Sequence, residues 1–212
     1  MRRSTVFFKD GTYHVFNRTI AKFAIFTYEN TSDRFLDLID YCNDSADKPS
    51  FSRVKTFHRE KIIGVTADDK IVKVLAYCLM PNHYHLVIKQ LTEVSVSEFI
   101  GRVENSLSKY VNKVVDRKGP LWESRFKSVQ IKNEFQLKHV VRYTHLNPTT
   151  SSLVNNPKDW NYSSYKDYVN GNVLLRDVPE LSFGNMRNFI RFHENQIEFQ
   201  RSLKNIQKTL EP

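Results

Sequence analysis

Residues 83–85 read His-Tyr-His and residues 143–147 read Tyr-Thr-His-Leu-Asn. Either group could do chemistry, and each has an ordinary reading beside it. Strand side chains alternate faces, so His83 and His85 point one way and Tyr84 the other. Two same-face imidazoles about 7 Å apart along a strand can converge on one divalent ion. Equally, they can be two half-buried surface histidines. The setting bears on the choice. The pair follows Pro81-Asn82 inside YCLMPNHYHLVIKQ, which is apolar on both sides. Such a strand belongs at the centre of a sheet, where an imidazole needs a partner because burying a polar group alone is costly.

The second group lies in QLKHVVRYTHLNP, residues 136–148. Leu137, Val140, Val141 and Thr144 form a helical face toward a core. Helix geometry sets Tyr143 roughly 110° round from the centre of that face. Asn147 stacks on the same side one turn later, and His139 one turn earlier. A phenol and a carboxamide then look outward together beside the sheet. In the ordinary reading Tyr143 covers the core edge and Asn147 caps a helix that Pro148 ends.

The elements that must position these groups follow from pattern. GTYHVFNRTI is rich in β-branched and aromatic residues and reads as a first strand. Phe35, Leu36, Leu38, Ile39 and Cys42 lie at helical spacing after an N-cap at Thr31 or Ser32. Residues 43–60 are polar and read as a loop. DDKIVKVLAYCLMPN and HYHLVIKQ are second and third strands, antiparallel across a tight turn. Phe99, Ile100, Val103, Leu107, Tyr110, Val111 and Val114 mark a long helix that Gly119-Pro120 stops. FKSVQIKN alternates as a fourth strand, with Arg125 and Lys127 flanking Phe126. EFQLKHVVRYTHLN is the next helix, DWNYSSYKDYVNG packs its aromatics on the body, and the tail from about 181 is helical and basic. The order predicts an α+β fold: a ferredoxin-like antiparallel sheet of four or five strands with helices on one side. Two units are expected, a main domain over residues 1–170 and a basic helical extension over 171–212.

Composition narrows the partners. The 212 residues carry 32 Lys+Arg against 23 Asp+Glu, a net charge of +9, which favours a polyanion such as nucleic acid. At 40% apolar and 13% aromatic the chain is globular. Cys42 and Cys78 form no C-x-x-C, so neither a zinc ribbon nor a disulfide framework is indicated. No apolar run suits a signal peptide or a membrane span, and a reducing cytoplasm is expected.

At this point a resemblance joins the two groups. MPNHYHLVI, GPLWESRFKS and HVVRYTHLNP followed by DWNYSSYKDY resemble, in order from about residue 10 to 170, the REP-associated tyrosine transposases. These are single-tyrosine HUH transposases related to the smallest bacterial insertion sequences. The resemblance implies an HUH endonuclease fold and a metal-dependent single-strand DNA nuclease and strand transferase. It implies His83 and His85 as metal ligands, Asn147 completing the site, and Tyr143 as nucleophile. It further implies Mg²⁺ or Mn²⁺, a 5′-phosphotyrosine intermediate, and imperfect palindromes that fold into hairpins as substrate. A phenol in water ionises near pH 10, so attack by such a group needs a cation nearby. A closed zinc site is not expected, since the sequence places no third His or Cys near the pair. Tyr110 is the rival nucleophile, but it lies on an apolar helix face with no carboxamide one turn on.

Arg125, Lys127, Arg142, Arg2 and Arg3 are candidate phosphate contacts, and Trp122 could stack on an extruded base or belong to the core. The expected partners are single-stranded and hairpin DNA, with no membrane, for a monomer or homodimer located in the cytoplasm at the nucleoid. Two other readings use the same features. One is an HUH replication initiator or relaxase, which often carries a second tyrosine a turn away or extra domains. The other is a domesticated, non-catalytic hairpin-binding protein, which would bind DNA without forming an adduct.

Overall fold

The computed structural model describes residues 6–44, 46, 48–54, 56–59 and 61–202. The expected contacts from Arg2 and Arg3 lie outside the described residues. The fold is α+β. Strands β1 (Thr12–Arg18), β2 (Val72–Met80), β3 (His83–Gln90) and β4 (Lys127–Ile131) form one sheet in the order β2-β3-β1-β4. Every pairing is antiparallel. Helix α1 (Thr31–Cys42) connects β1 to β2, and α2 (Val96–Val114) connects β3 to β4. This is the ferredoxin-like order that the sequence predicts.

β3 lies inside the sheet, as its unbroken apolar character requires. β2 is an outer strand, yet all nine of its residues are buried. Two loop segments explain this. Gly64 N donates to the Val74 carbonyl at 2.9 Å, and Leu79 N to the Tyr162 carbonyl at 2.9 Å. The Ser164 hydroxyl also accepts from Tyr77 N at 2.9 Å. The β2 edge is therefore covered, as an apolar edge must be to avoid pairing with other chains. β4 forms the opposite edge and is short and partly exposed, with Lys127 and Val129 exposed and Ile131 buried.

Helices cover both faces of the sheet, not one as the pattern suggests. α1 and α2 lie on the face that Tyr84 enters, where its ring meets Phe35 at 4.9 Å between centroids. The additional helix α3 (Glu134–Thr150) crosses the other face over β2 and β3. α4 (Ser164–Val169) and α5 (Met186–Glu194) pack behind it. Buried Tyr165, Tyr168 and Phe189 join them, so the aromatic segment packs on the body as expected.

Three boundaries differ from expectation. α1 is capped by Asn30 in a left-handed conformation (φ 60°), ahead of both anticipated caps, Thr31 and Ser32. α2 ends at Val114, ahead of Gly119-Pro120. α3 runs through Pro148 to Thr150. An internal proline removes one helix hydrogen bond and costs about 3 kcal/mol in an isolated helix. Leu146 in the same turn is fully buried, and its apolar burial, worth about 1.5–3 kcal/mol, acts against that cost.

Candidate active site

The β2–β3 turn delivers the histidine pair, and its position is fixed from outside the hairpin. Thr19 N and its hydroxyl donate to the Asn82 carbonyl at 2.9 and 3.0 Å, and Phe26 N donates to the Pro81 carbonyl at 3.0 Å. From there β3 alternates strictly. Tyr84 is fully buried on the α2 side, where its hydroxyl donates to Glu104 Oε1 at 2.8 Å. His83 and His85 turn to the opposite face, with ring centroids 5.2 Å apart. The register sets Phe16 opposite His85 and Arg18 opposite His83. Lys127 stands opposite Phe16 on the far side of β1.

α3 brings the second group to the same place, within one chain. The Tyr143 ring meets the His85 ring edge-on at 5.5 Å between centroids and is 47% exposed. Asn147 is buried one turn later, and its Nδ2 donates to the Tyr143 carbonyl at 3.1 Å. That bond leaves Oδ1 as the atom Asn147 has for a cation. His83, His85, Tyr143 and Asn147 all line one cleft of about 360 Å³, together with Arg18, Glu123 and Lys127.

The sequence reading missed His14. It lies on β1, buried, with Nε2 3.0 Å from His85 Nδ1. Its ring also meets Tyr143 edge-on at 5.9 Å and packs on Phe16 at 5.0 Å. Burial pushes its pKa down to about 4, so it is neutral at neutral pH. The expectation that no third histidine lies near the pair is therefore corrected. This histidine nonetheless faces a ring nitrogen of His85 rather than a shared point, and among the described residues no group of three His, Cys, Asp or Glu is arranged to hold a metal. Only strand register reveals His14, because 71 positions separate it from His85.

Two imidazoles and a carboxamide oxygen around an open cleft are a borderline nitrogen and oxygen set. It suits Mn²⁺ and, less strongly, Mg²⁺, with room for water or a phosphate oxygen in further positions. The donors present therefore fit such an ion.

The cleft wall is built by residues 121–124. Ile20 N donates to the Leu121 carbonyl at 2.9 Å and Glu123 N to the Arg18 carbonyl at 3.0 Å, extending the end of β1. Beneath them Glu104 is buried and accepts from Asn17 Nδ2 at 2.7 Å, while the same Nδ2 lies 3.0 Å from the Ser124 carbonyl. The Trp122 indole meets Tyr84 edge-on at 5.5 Å and donates toward the Glu104 carbonyl at 3.4 Å. Of its two expected roles, the packing role is the one this contact set describes.

The basic candidates divide. Lys127 is exposed and lines the cleft. Arg125 is exposed but precedes β4 instead of alternating within it. Arg142 departs from its expected place. It is buried and its Nη1 donates to the Phe192 carbonyl at 3.2 Å, because the helix turn carries it away from the cleft toward α5. Arg18 also lines the cleft, a placement that sequence spacing did not reveal. Tyr110, the rival nucleophile, sits on α2, across the sheet from the histidines, with the Arg34 guanidinium 5.1 Å from its ring centre.

No helix among the described residues is long and apolar enough to cross a membrane. Comparison with known proteins agrees with the fold. The structure of a REP-associated tyrosine transposase bound to a REP hairpin superposes with a TM-score of 0.60 at 16% identity, covering 82% of this chain and 88% of that one. A structure described as a transposase from Deinococcus radiodurans R1 gives a TM-score of 0.39 at 12% identity over 68% of this chain and 98% of that one, too low to carry an argument. No curated protein sequence matches the chain. The family model for IS200-like transposases matches residues 8–147, well over half of the 212. The chain therefore belongs to the IS200-like transposase family, with an α+β fold like that of the REP-associated tyrosine transposase.

Proposed function

We propose that this transposase is a metal-dependent single-strand DNA endonuclease and strand transferase that acts on hairpin-forming DNA through a 5′-phosphotyrosine at Tyr143. The observation that carries the reading is the edge-on contact of Tyr143 with His85 inside one chain. It brings a half-exposed phenol to a cleft that also holds His83 and Asn147. The fold shared with a hairpin-bound relative supports the substrate class.

In this reading His83, His85 and Asn147 hold Mg²⁺ or Mn²⁺. Such an ion supplies charge neutralisation and in-line orientation at a phosphate. The residues of the chain do the rest. Arg18 and Lys127 grip flanking phosphates on the cleft rim. Tyr143 Oη attacks the scissile phosphorus, forming the O–P bond as the P–O3′ bond breaks. The phenolic proton passes to solvent, and the departing 3′ oxygen takes up a proton to leave a free 3′-OH. The phosphodiester's energy is kept in the phosphotyrosine, so a second 3′-OH can rejoin the strand without ATP. Residues 8–147, the family-matched segment, carry the chemistry, and the segment after 171 supports α3 from behind.

The test is a denaturing gel of protein mixed with hairpin-bearing single-stranded DNA and Mn²⁺. A covalent adduct is expected for the wild type and Tyr110→Phe, and none for Tyr143→Phe or with chelator. An adduct that survives Tyr143→Phe and disappears in Tyr110→Phe reverses the assignment. Tight hairpin binding with no adduct in any condition favours a domesticated binding protein.

A further inference from the structure

A histidine that gives one nitrogen to a cation must carry its proton on the other, and something must hold that proton in place. The two cleft histidines can be compared on this point. His83 Nδ1 lies 2.7 Å from Asn82 Oδ1. The Asn82 side chain is oriented by its other end, since Nδ2 donates to the Lys22 carbonyl at 3.3 Å. Its oxygen can only accept, so His83 carries its proton on Nδ1 and keeps the Nε2 lone pair. His85 has the same arrangement with a different partner. Its Nδ1 lies 3.0 Å from His14 Nε2. One of these two nitrogens carries the shared proton, and the other accepts it.

We infer that His14 is a positioning residue for His85: its Nε2 accepts the His85 Nδ1 proton, which fixes the His85 tautomer with the Nε2 lone pair directed to the cation. This deepens the reading proposed above and rests on it for the cation. Asn82 does for His83 what His14 does for His85. His14 is well suited to the task because its own ring is immobilised. It is buried, packed on Phe16, and closed from above by the edge of Tyr143. Its remaining nitrogen, Nδ1, then carries the proton of the neutral ring. The same histidine lies against both the proposed ligand and the proposed nucleophile.

His14→Phe isolates the hydrogen bond. Phenylalanine keeps the ring against Phe16 and Tyr143 but has no nitrogen to accept. His14→Gln restores an acceptor near the Nε2 position. Mn²⁺ affinity, measured by titration without DNA, is expected to fall about 10–100-fold in His14→Phe and to be largely restored in His14→Gln. A second reading uses the metal-free wild type, labelled with ¹⁵N at histidine. Long-range ¹H–¹⁵N correlations are expected to show both His83 and His85 protonated at Nδ1. An Nε2-protonated His85 overturns the inference, and so does wild-type Mn²⁺ affinity in a folded His14→Phe protein. If His14→Phe does not fold, the wild-type tautomer and the Gln variant decide. A wild type that binds no Mn²⁺ defeats the metal reading above, while the metal-free tautomer still decides the inference.

Discussion

Arg142 and Phe192 close the contact between α3 and α5. The Arg142 guanidinium lies 4.2 Å from the Phe192 ring centre, and Nη1 donates to the Phe192 carbonyl at 3.2 Å. A side chain adjacent to the proposed nucleophile thus braces its helix and is turned toward α5, away from the cleft. Loss of a charge-assisted hydrogen bond and a cation–π contact predicts that Arg142→Ala costs about 2–3 kcal/mol of stability. The salt dependence of DNA binding should not change. In Lys127→Ala the opposite is expected: stability within about 0.5 kcal/mol of wild type, and a salt slope shallower by about 0.7 for a lost single-strand phosphate contact. Urea unfolding and binding titrations at several salt concentrations separate the two, and a shallower slope in Arg142→Ala would return it to the DNA surface.

His145 on α3 and His193 on α5 form a second brace, fully buried. His193 Nδ1 donates to the Phe189 carbonyl at 2.8 Å, so its Nε2 accepts from His145 Nδ1 at 2.9 Å, and His145 Nε2 accepts from the Ser164 hydroxyl at 2.8 Å. Burial, with Arg142 adding to it against the Phe189 hydrogen bond, lowers the His193 pKa to about 3. An unfolded histidine takes up a proton near pH 6.5, and the folded ring does not until about pH 3. Stability is therefore full above pH 6.5 and falls by up to about 1.4 kcal/mol per pH unit for this group as pH drops toward 3. Urea midpoints at pH 7.5 and 5 should differ more in wild type than in His193→Gln. An equal difference contradicts the brace as drawn.

Glu104 is a buried carboxylate whose Oε1 accepts from both Tyr84 and Asn17. Glu104→Leu leaves both donors buried without that acceptor and is expected to cost about 2–4 kcal/mol. Glu104→Gln keeps an oxygen there and should cost less. Chemical denaturation checks the order, and a Leu variant as stable as the Gln variant would remove Glu104 from its place in the scaffold.

Tyr143→Phe should be nearly silent in everything except chemistry. The ring stands nearly perpendicular to those of His85 and His14 and is 47% exposed, so unfolding free energy should stay within about 0.5 kcal/mol of wild type. Hairpin affinity should stay within a few-fold. A variant that also lost hairpin binding would make Tyr143 a recognition residue.

Much of this arrangement is legible in sequence because it follows periodicity. The alternation that turns His83 and His85 away from Tyr84, and the one-turn spacing of Tyr143 and Asn147, are local facts of strand and helix geometry. What escaped depends on contacts between distant segments. His14 becomes a neighbour of His85 only once β1 and β3 pair in a particular register. Arg142 reads as a phosphate contact and Pro148 as a stop signal, because amphipathic patterning assumes one buried face. α4 and α5 bury the other side of α3, so its last three turns are interior almost all round. The open edge at β4, where Lys127 faces the cleft, is likewise a property of strand order and not of FKSVQIKN itself.

The central claim, that Tyr143 becomes covalently joined to the 5′ end of cleaved DNA, is tested most directly by peptide mass spectrometry. Wild-type protein would be reacted with hairpin-bearing single-stranded DNA and Mn²⁺, trimmed with nuclease and digested with protease. A nucleotide mass on the peptide containing Tyr143 is the predicted result. Cleaved DNA with the mass on the Tyr110 peptide, or with no peptide modified at all, would contradict it.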